Sequence, residues 1–342
     1  MIEAHFGEST PFSIGVEEEI MILDAATFEP VAGVGVLLRG IEGKTLPGSL
    51  KTELHASVVE LTTGICATVG DAVAALAELR AAADSVARAN GLRIAAAGAH
   101  PTAALDTLPV VQEERYTEMI RVVGYPARRQ GVCGLHVHVG MPSGDRCYAA
   151  LEALLPWLPV VLALSANSPF LEGEATGMWS NRPGVLAELP RSGAPPAFGS
   201  YTGWEAWVER LSGVGLLPDY TRLWWDVRPH PRLGTLEVRM PDQPTSIERT
   251  ALLVGLIREL VETAPVREPD PGRRGDYAQN RWAAARFGLD AELIHPEGDH
   301  SATARELAAE LLGEEPPEPE AAQQLEVGVT SAAADLAERT VG

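Results

Sequence analysis

The chain has 342 residues, 46% of them hydrophobic and 22% charged, the balance of a globular protein long enough to bury a sizeable core. A formal charge of −20 sets aside nucleic acid and anionic membranes as main partners, because neither is drawn to an acidic surface. Only Lys44 and Lys51 are lysines, which argues against lysine-based catalysis, and three cysteines (Cys66, Cys133, Cys147) without framework spacing fit a reducing compartment. The opening Met1-Ile2-Glu3-Ala4-His5 has no basic stretch followed by an apolar one. The longest apolar run, about residues 153–166, contains Pro156 and Pro159 and is too short to span a bilayer. The expected location is therefore the cytoplasm.

In chain order, residues 12–23 and 57–63 read as strands. Residues 71–89 read as an alanine- and leucine-rich helix, with Asp71 as its cap and Asn90-Gly91 as its stop. A strand over 92–99 closes at His100-Pro101, and 113–123 is helical. Next comes Gly134-Leu135-His136-Val137-His138-Val139-Gly140, in which two imidazoles share one strand face and three apolar residues the other. Residues 146–166 form a buried helix bent or delayed by its prolines. The Gly-, Pro- and Ser-rich stretch 167–203 reads as a long functional loop, and 205–211 as a short helix. Strands at 223–228 and 234–240 form a hairpin, and Ser246 caps a helix running to 264. After a charged, Pro/Gly-rich stretch at 265–276, a helix covers 277–287, an acidic linker covers 314–320 and a terminal helix covers 332–339. Hairpins with helices between them predict an α+β fold with a largely antiparallel sheet.

Four of these strands repeat one design, an apolar face and a face bearing acids, histidines or arginine. Gly15-Val16-Glu17-Glu18-Glu19-Ile20 puts Glu17 and Glu19 on one face and Glu18 on the other. Like charges side by side repel unless a cation lies between them, and hard divalent ions want carboxylate oxygens; a solvated edge strand is the plainer alternative. Val58-Val59-Glu60-Leu61-Thr62-Thr63-Gly64 carries a single acid, exposed or liganded, and Glu53 either joins the same site or caps a turn. Leu223-Trp224-Trp225-Asp226-Val227-Arg228 pairs Asp226 with Arg228, and Gly234-Thr235-Leu236-Glu237-Val238-Arg239-Met240 aligns Thr235, Glu237 and Arg239. Acids with imidazole suit Mg²⁺ or Mn²⁺, and thiolate zinc spacing is absent. Arginines such as Arg182, Arg228, Arg239 and Arg281 suit phosphate or carboxylate. No P-loop, dinucleotide fingerprint or nucleophile elbow occurs, so a phosphate site here would be built from metal and arginine.

These motifs resemble those of the carboxylate–amine ligases of the glutamate–cysteine ligase type 2 family. The resemblance runs in order from about residue 11 to 293 and includes Val59-Glu60-Leu61-Thr62-Thr63-Gly64, Leu164-Ser165-Ala166-Asn167-Ser168-Pro169-Phe170, Trp179-Ser180-Asn181-Arg182 and Asn280-Arg281-Trp282. It implies a glutamine-synthetase-like catalytic fold, a curved, mainly antiparallel sheet forming a half funnel with flanking helices. It also implies ATP-dependent amide formation through an acyl phosphate, with L-glutamate and L-cysteine as default substrates. On this resemblance Glu17, Glu19, Glu60, Glu237 and His136 hold Mg²⁺ (or Mn²⁺) between ATP and substrate, and Glu53 falls where a further acid often lies. Arg239 and Arg281 are placed near the transferred phosphoryl group, with His138, Asn181, Arg182 and Arg228 as further contacts to nucleotide or substrate. Asp226 and Arg228 orient substrate or support the floor. A homodimer is compatible with the resemblance.

The expected domain plan is one catalytic unit over 1–312, followed by an acidic Pro/Glu linker and terminal helix over 313–342, where Gly328-Val329-Thr330-Ser331-Ala332 departs from the family pattern. The loop from 173 to 200 is expected to cover the substrate. Two other readings compete: a metal-dependent amidohydrolase using the His-x-His strand, and a non-catalytic relative that keeps only the cleft.

Overall fold

A computed structural model describes residues 2–266 and 270–341. Among them, one sheet of seven strands organises the molecule: β1 (Ile14–Asp24), β2 (Gly48–Thr52), β3 (Val58–Thr63), β4 (Leu92–Ala95), β5 (Leu135–Gly140), β6 (Val227–His230) and β7 (Thr235–Val238). The spatial order is β6-β7-β5-β1-β3-β2, every pairing is antiparallel, and the sheet is open. The 11-residue β1 is long enough to serve two partners on one edge: β5 pairs with its first half and β4 with its last four residues.

Period-two alternation gives the two sheet faces opposite fates. On one face Val16, Val137, Leu236 and Val238 are buried against helices α3 (Gly144–Leu154) and α5 (Ile247–Thr263), chiefly Leu151, Leu154, Leu253 and Ile257. Further along, Ile20, Ile22, Val59 and Leu61 pack on Leu79, Ala83 and Val86 of α1 (Val69–Ala89). Each fully buried aliphatic side chain of this kind contributes roughly 1.5–3 kcal/mol. The other face carries Glu17, Glu19, Glu60, His136, His138 and Glu237 and forms the floor of a cleft.

Glu18 belongs to the helix-covered face and is fully buried. Arg80 of α1 grips it through Nε (2.7 Å) and Nη2 (2.6 Å), while Thr250 and Gln243 donate the remaining hydrogen bonds.

Several boundaries differ from the sequence expectation. Helix α1 starts at Val69, capped by Thr68; Asp71 is instead the third helical residue and returns a bond to the Thr68 N–H. β4 ends at Ala95 because the next backbone groups turn to other partners: Ala96 N–H to Thr340 Oγ1, and Gly98 N–H to Asn167 O. The stretch 146–166 is α3, a single 3₁₀ turn and then α4 (Leu158–Ser165), the prolines falling at the first positions of the later pieces. As one 22-residue helical run, Gly144–Ser165 is long and apolar enough to cross a membrane, which the run counted from 153 was not, but 89% of its most apolar window is buried inside the protein.

The 167–203 stretch is less irregular than expected. It contains a two-residue hairpin, the helix Arg182–Leu186, and Ser192–Gly193, which pairs in parallel with Trp224–Trp225. That pairing removes Trp224 and Trp225 from the hairpin, which is β6 and β7 alone. Its turn needs Gly234: φ is +65°, and a Cβ there would lie 2.4 Å from the His5 carbonyl oxygen. The helix expected at 205–211 runs from Tyr201 to Gly213, capped by Ser200.

Of the charged stretch 265–276, residues 267–269 lie outside the described residues; helix α6 (Arg273–Phe287) begins earlier than expected. Beyond residue 313, α7 (Glu320–Val327) precedes α8 (Val329–Arg339). The Glu320 carboxylate accepts from Thr245 N–H (2.7 Å) and Ser246 N–H (2.9 Å) at the start of α5, where a negative charge is favoured. Gln324 donates to Asn167 from α7.

Candidate active site

Sheet register assembles the site. β5 sets His136 opposite Glu17 and His138 opposite Gly15, and β7 sets Glu237 opposite His138. On the other side of β1, Glu19 lies opposite Glu60, which in turn lies opposite Lys51 of β2. Directly opposed residues have neighbouring Cβ atoms, so four strands converge their polar side chains on one patch. A cavity of about 420 Å³ stands on it, lined among others by Glu17, Glu19, Glu53, Glu60, Glu237 and Arg239.

Within the patch, the Glu17 carboxylate lies 3.3 Å from His136 Nδ1 and 3.8 Å from His138 Nε2. One ligand atom from each of Glu17, His138 and Glu237 lies within 4.8 Å of the others. Bonding of His138 Nδ1 to Thr235 Oγ1 (3.0 Å) orients the ring, and its buried Nε2 has no hydrogen-bond partner among the described residues. An imidazole nitrogen fixed from behind and unpartnered in front, between two carboxylates, is the arrangement a divalent cation requires. Glu237 is steadied by Arg228 through Nε (2.6 Å) and Nη2 (3.1 Å), and Arg239 also pairs with it.

The carboxylates divide by their surroundings. Burial opposes ionisation of Glu17, but His136 and His138 beside it hold its carboxyl well below the usual range. Glu237 is held low in the same way, Arg228 and Arg239 overriding burial. Glu60 is raised by burial and by the Glu17 charge, although Lys51 stands 3.3 Å away. Glu53, on the turn after β2, is pushed up to about 8 by burial and by the charges of Glu19 and Glu60. Burial and the Arg239 charge lower His136, whereas Glu17 and Glu237 outweigh burial and raise His138. Five glutamates therefore share one cavity with too little positive charge around the Glu19, Glu53 and Glu60 end.

The structure brings most of the expected residues together and moves some to other roles. His138, expected to meet nucleotide, is the imidazole in the Glu17–Glu237 group; His136, expected to bind metal, instead lies between Glu17, Glu19 (3.8 Å) and Arg182 (3.5 Å). Every donor nitrogen of Arg228 is engaged by Glu237 or by the carbonyls of Thr221 and Leu223, so it braces Glu237. Arg182 is buried beside His136, lines a small pocket with Glu19, Glu53 and Arg239, and donates to the Arg239 and Met240 carbonyls; Gly134 is the residue that lets it in, since a Cβ there would lie 2.1 Å from Nη2.

Arg281 does not line the 420 Å³ cavity: it pairs with Asp226 (2.7 Å), which also accepts from Tyr277. Asn181 is likewise turned away, donating to Ser168 O and Thr176 Oγ1. Sequence reading missed Arg115, Tyr116 and Met119 of α2 (Glu114–Val123) and the 218–222 turn, all of which line the cleft. Lys51 was noticed only as a rare lysine, because β2 carries too little apolar alternation to read as a strand.

An antiparallel floor of paired acids and imidazoles backed by helices has the architecture of the glutamine-synthetase-like fold. The chain matches the glutamate–cysteine ligase family 2 over residues 13–340 and belongs to that family, so it is a ligase. Two proteins of Rubrobacter xylanophilus named "Putative glutamate--cysteine ligase" are similar to it. The one designated 2-3 is 41% identical over 91% of this chain and 85% of its own length, and that designated 2-1 is 37% identical over 90% and 82%. In fold the chain is similar to the glutamate–cysteine ligase of Francisella tularensis, solved in complex with AMP (TM-score 0.63, 16% identity, 97% of this chain and 84% of that one). Family membership sets aside the amidohydrolase reading, which leaves the Glu-x-Glu and Glu-x-Arg strands without a purpose.

Proposed function

We propose that the protein is an ATP-dependent carboxylate–amine ligase, forming an amide by way of an acyl phosphate, with L-glutamate and L-cysteine as the default substrate pair. The observation that carries this reading is the convergence of Glu17, His138 and Glu237 on one point of a cavity that also holds Glu19, Glu53, Glu60 and Arg239. Mg²⁺ or Mn²⁺ held by Glu17, His138 and Glu237, with Glu19, Glu53 and Glu60 as further acids, would neutralise phosphate charge and align the γ-phosphoryl group with the acid.

The chain's own residues do the rest. Arg239, the arginine on the floor with a partly open guanidinium, is positioned to meet the anionic oxygens of phosphate or carboxylate, and Arg228 keeps Glu237 ionised. Attack of the carboxylate oxygen on the γ-phosphorus releases ADP. The ammonium group gives one proton to water, the amine nitrogen forms the C–N bond as the C–O bond to phosphate breaks, and a second N–H proton leaves on the departing phosphate. Arg281, Arg182 and Asn181 act by holding the floor in place.

The test is incubation with ATP, Mg²⁺ and pooled amino acids and amines, scored by ADP release and product mass. ADP release that depends on both an acid and an amine, and is absent from Glu17→Gln, supports the reading. If no pool raises ADP above that variant, the reading fails.

A further inference from the structure

The acid cavity is the waist of a longer trough. Toward Gly15 it shares Glu17 and His138 with a second cavity of about 270 Å³ that adds Lys51 and the hydroxyls of Ser9, Ser13, Thr62 and Thr235. Toward α2 it shares Met119, Arg222 and Trp224 with a third cavity of about 500 Å³. The two ends differ in chemistry. The Gly15 end offers hydroxyls and a lysine beside the candidate metal ligands, the surroundings a polyphosphate needs.

The α2 end is lined by Met119, Val122, Leu189, Leu216 and Trp224, of which Val122 and Leu216 are 63% and 68% exposed. Large aliphatic side chains open to water around a pocket mark a site for an apolar group. Two guanidinium groups stand in the same wall. Arg191 donates to the Arg222 carbonyl and Arg222 to the Arg115 carbonyl, and among the described residues neither forms an ion pair with a carboxylate. Arg191 holds its guanidinium 5.8 Å above the Trp224 ring from a backbone at φ +58°, a left-handed conformation that non-glycine residues seldom adopt.

Resting on the ligase reading above but replacing cysteine, its default amine, we propose that the α2 end selects the amine substrate, and that this substrate is an α-amino acid with a large apolar side chain. Its side chain occupies the Met119–Leu189–Trp224 wall, its carboxylate meets Arg191 or Arg222, and its amino group points along the trough toward the waist. The nucleotide then occupies the opposite end, so that phosphate, acid and amine lie in the order the reaction uses them. A pocket of this size suits leucine, phenylalanine or tryptophan, and the side chain of cysteine leaves most of it unfilled.

The experiment supplies the enzyme with Mg·ATP, glutamate and one of glycine, cysteine, leucine, phenylalanine or phenethylamine, and measures phosphate release and product mass. Binding of phenylalanine and of glycine is measured separately by calorimetry without ATP. Leucine or phenylalanine is expected to exceed glycine and cysteine in kcat/KM by about tenfold or more, since each buried methylene group discriminates by a factor of this order. Phenethylamine, lacking the carboxylate, is expected to fall well below phenylalanine. Leu216→Glu should lower kcat/KM for phenylalanine about tenfold with little change in the KM for ATP. Arg222→Gln should lower kcat/KM for phenylalanine by a larger factor than for phenethylamine.

Preference for glycine or cysteine, or a Leu216→Glu effect that falls on the KM for ATP, overturns the assignment. Calorimetric binding of phenylalanine without phosphate release from any pair overturns the ligase reading and keeps the pocket. Phosphate release with small amines alone does the reverse.

Discussion

Glu17 and Glu18 are neighbours in the chain and opposites in the structure. Glu18 points into the helices and is fully satisfied, by two bonds from Arg80 and one each from Thr250 and Gln243. Glu17 points into the cleft, where it meets two imidazoles and looks across to Glu60, whose ionisation its charge opposes. One face of β1 uses charge with every partner supplied by the protein; the other leaves charge to be completed from outside. On the ligase reading proposed above, this difference separates the carboxylates that serve the fold from those that serve the chemistry.

The largest way to break the contrast is on the cleft face. Glu237→Gln and Glu17→Gln each remove one negative ligand of the candidate cation site and are expected to lower turnover by on the order of 10²–10³-fold or more. Circular dichroism and the thermal midpoint should stay close to wild type in Glu17→Gln, whereas Glu237→Gln also removes the charge partner of buried Arg228 and should lower the midpoint. A loss of fold equal to the loss of activity would show that these acids are structural after all.

On the opposite face the expected effect is on stability. Glu18→Ala strands Arg80 without a charge partner in the interior and should cost about 3–5 kcal/mol in urea unfolding. The pair Glu18→Leu with Arg80→Met should recover most of that loss, because the penalty comes from the unpaired charge rather than from losing the bridge. Activity per folded molecule should remain in both. If Glu18→Ala is as stable as wild type, water or a neighbouring carbonyl must satisfy Arg80.

Adding Mg²⁺ probes the contrast without turnover. A cation binding only the folded protein raises stability by RT ln(1 + [L]/Kd), about 2.7 kcal/mol at a concentration of 100 Kd. That rise should appear in wild type and in Glu18→Ala, and vanish in Glu17→Gln. A rise that persists in Glu17→Gln would place the cation elsewhere.

Period-two alternation was enough to read β1, β5 and β7 and to put Glu17, Glu19, His136, His138, Glu237 and Arg239 on one face, because that pattern is a direct consequence of strand geometry. It also separated Glu18 from its neighbours. It said nothing of how far each side chain reaches or what surrounds it: ring orientation at His138 and His136 is set by Thr235 and Arg182, and these contacts are tertiary. Arg281 looks like a phosphate ligand in the sequence and is paired with Asp226 in the fold, while Arg228, read as orienting substrate or supporting the floor, braces Glu237. β2 and α7 went unread because Gly48-Ser49-Leu50-Lys51-Thr52 has little apolar alternation and Glu320 sits at the end of a Pro/Glu run that reads as linker. The register that brings Lys51 to Glu60 is a property of the sheet as a whole.

The smallest effect concerns Glu53, and it asks how incomplete the cleft face is without its cation. Its carboxyl, ordinarily near 4.5, is pushed up to about 8 by burial and by Glu19 and Glu60. The folded protein therefore binds a proton that the unfolded chain has released, and folding loses stability as pH rises from about 4.5 to about 8. Because Glu53 is only half-buried, solvent screening keeps the effect modest. The metal-free protein should show a denaturation midpoint that declines across this window, and Glu53→Gln should flatten the decline. Mg²⁺ should flatten it as well, since a cation among Glu19, Glu53 and Glu60 removes the repulsion that raises the group. Parallel profiles for wild type and Glu53→Gln would mean that these three acids already share enough positive charge from Lys51 and Arg239, and that only Glu17 and Glu237 await a cation.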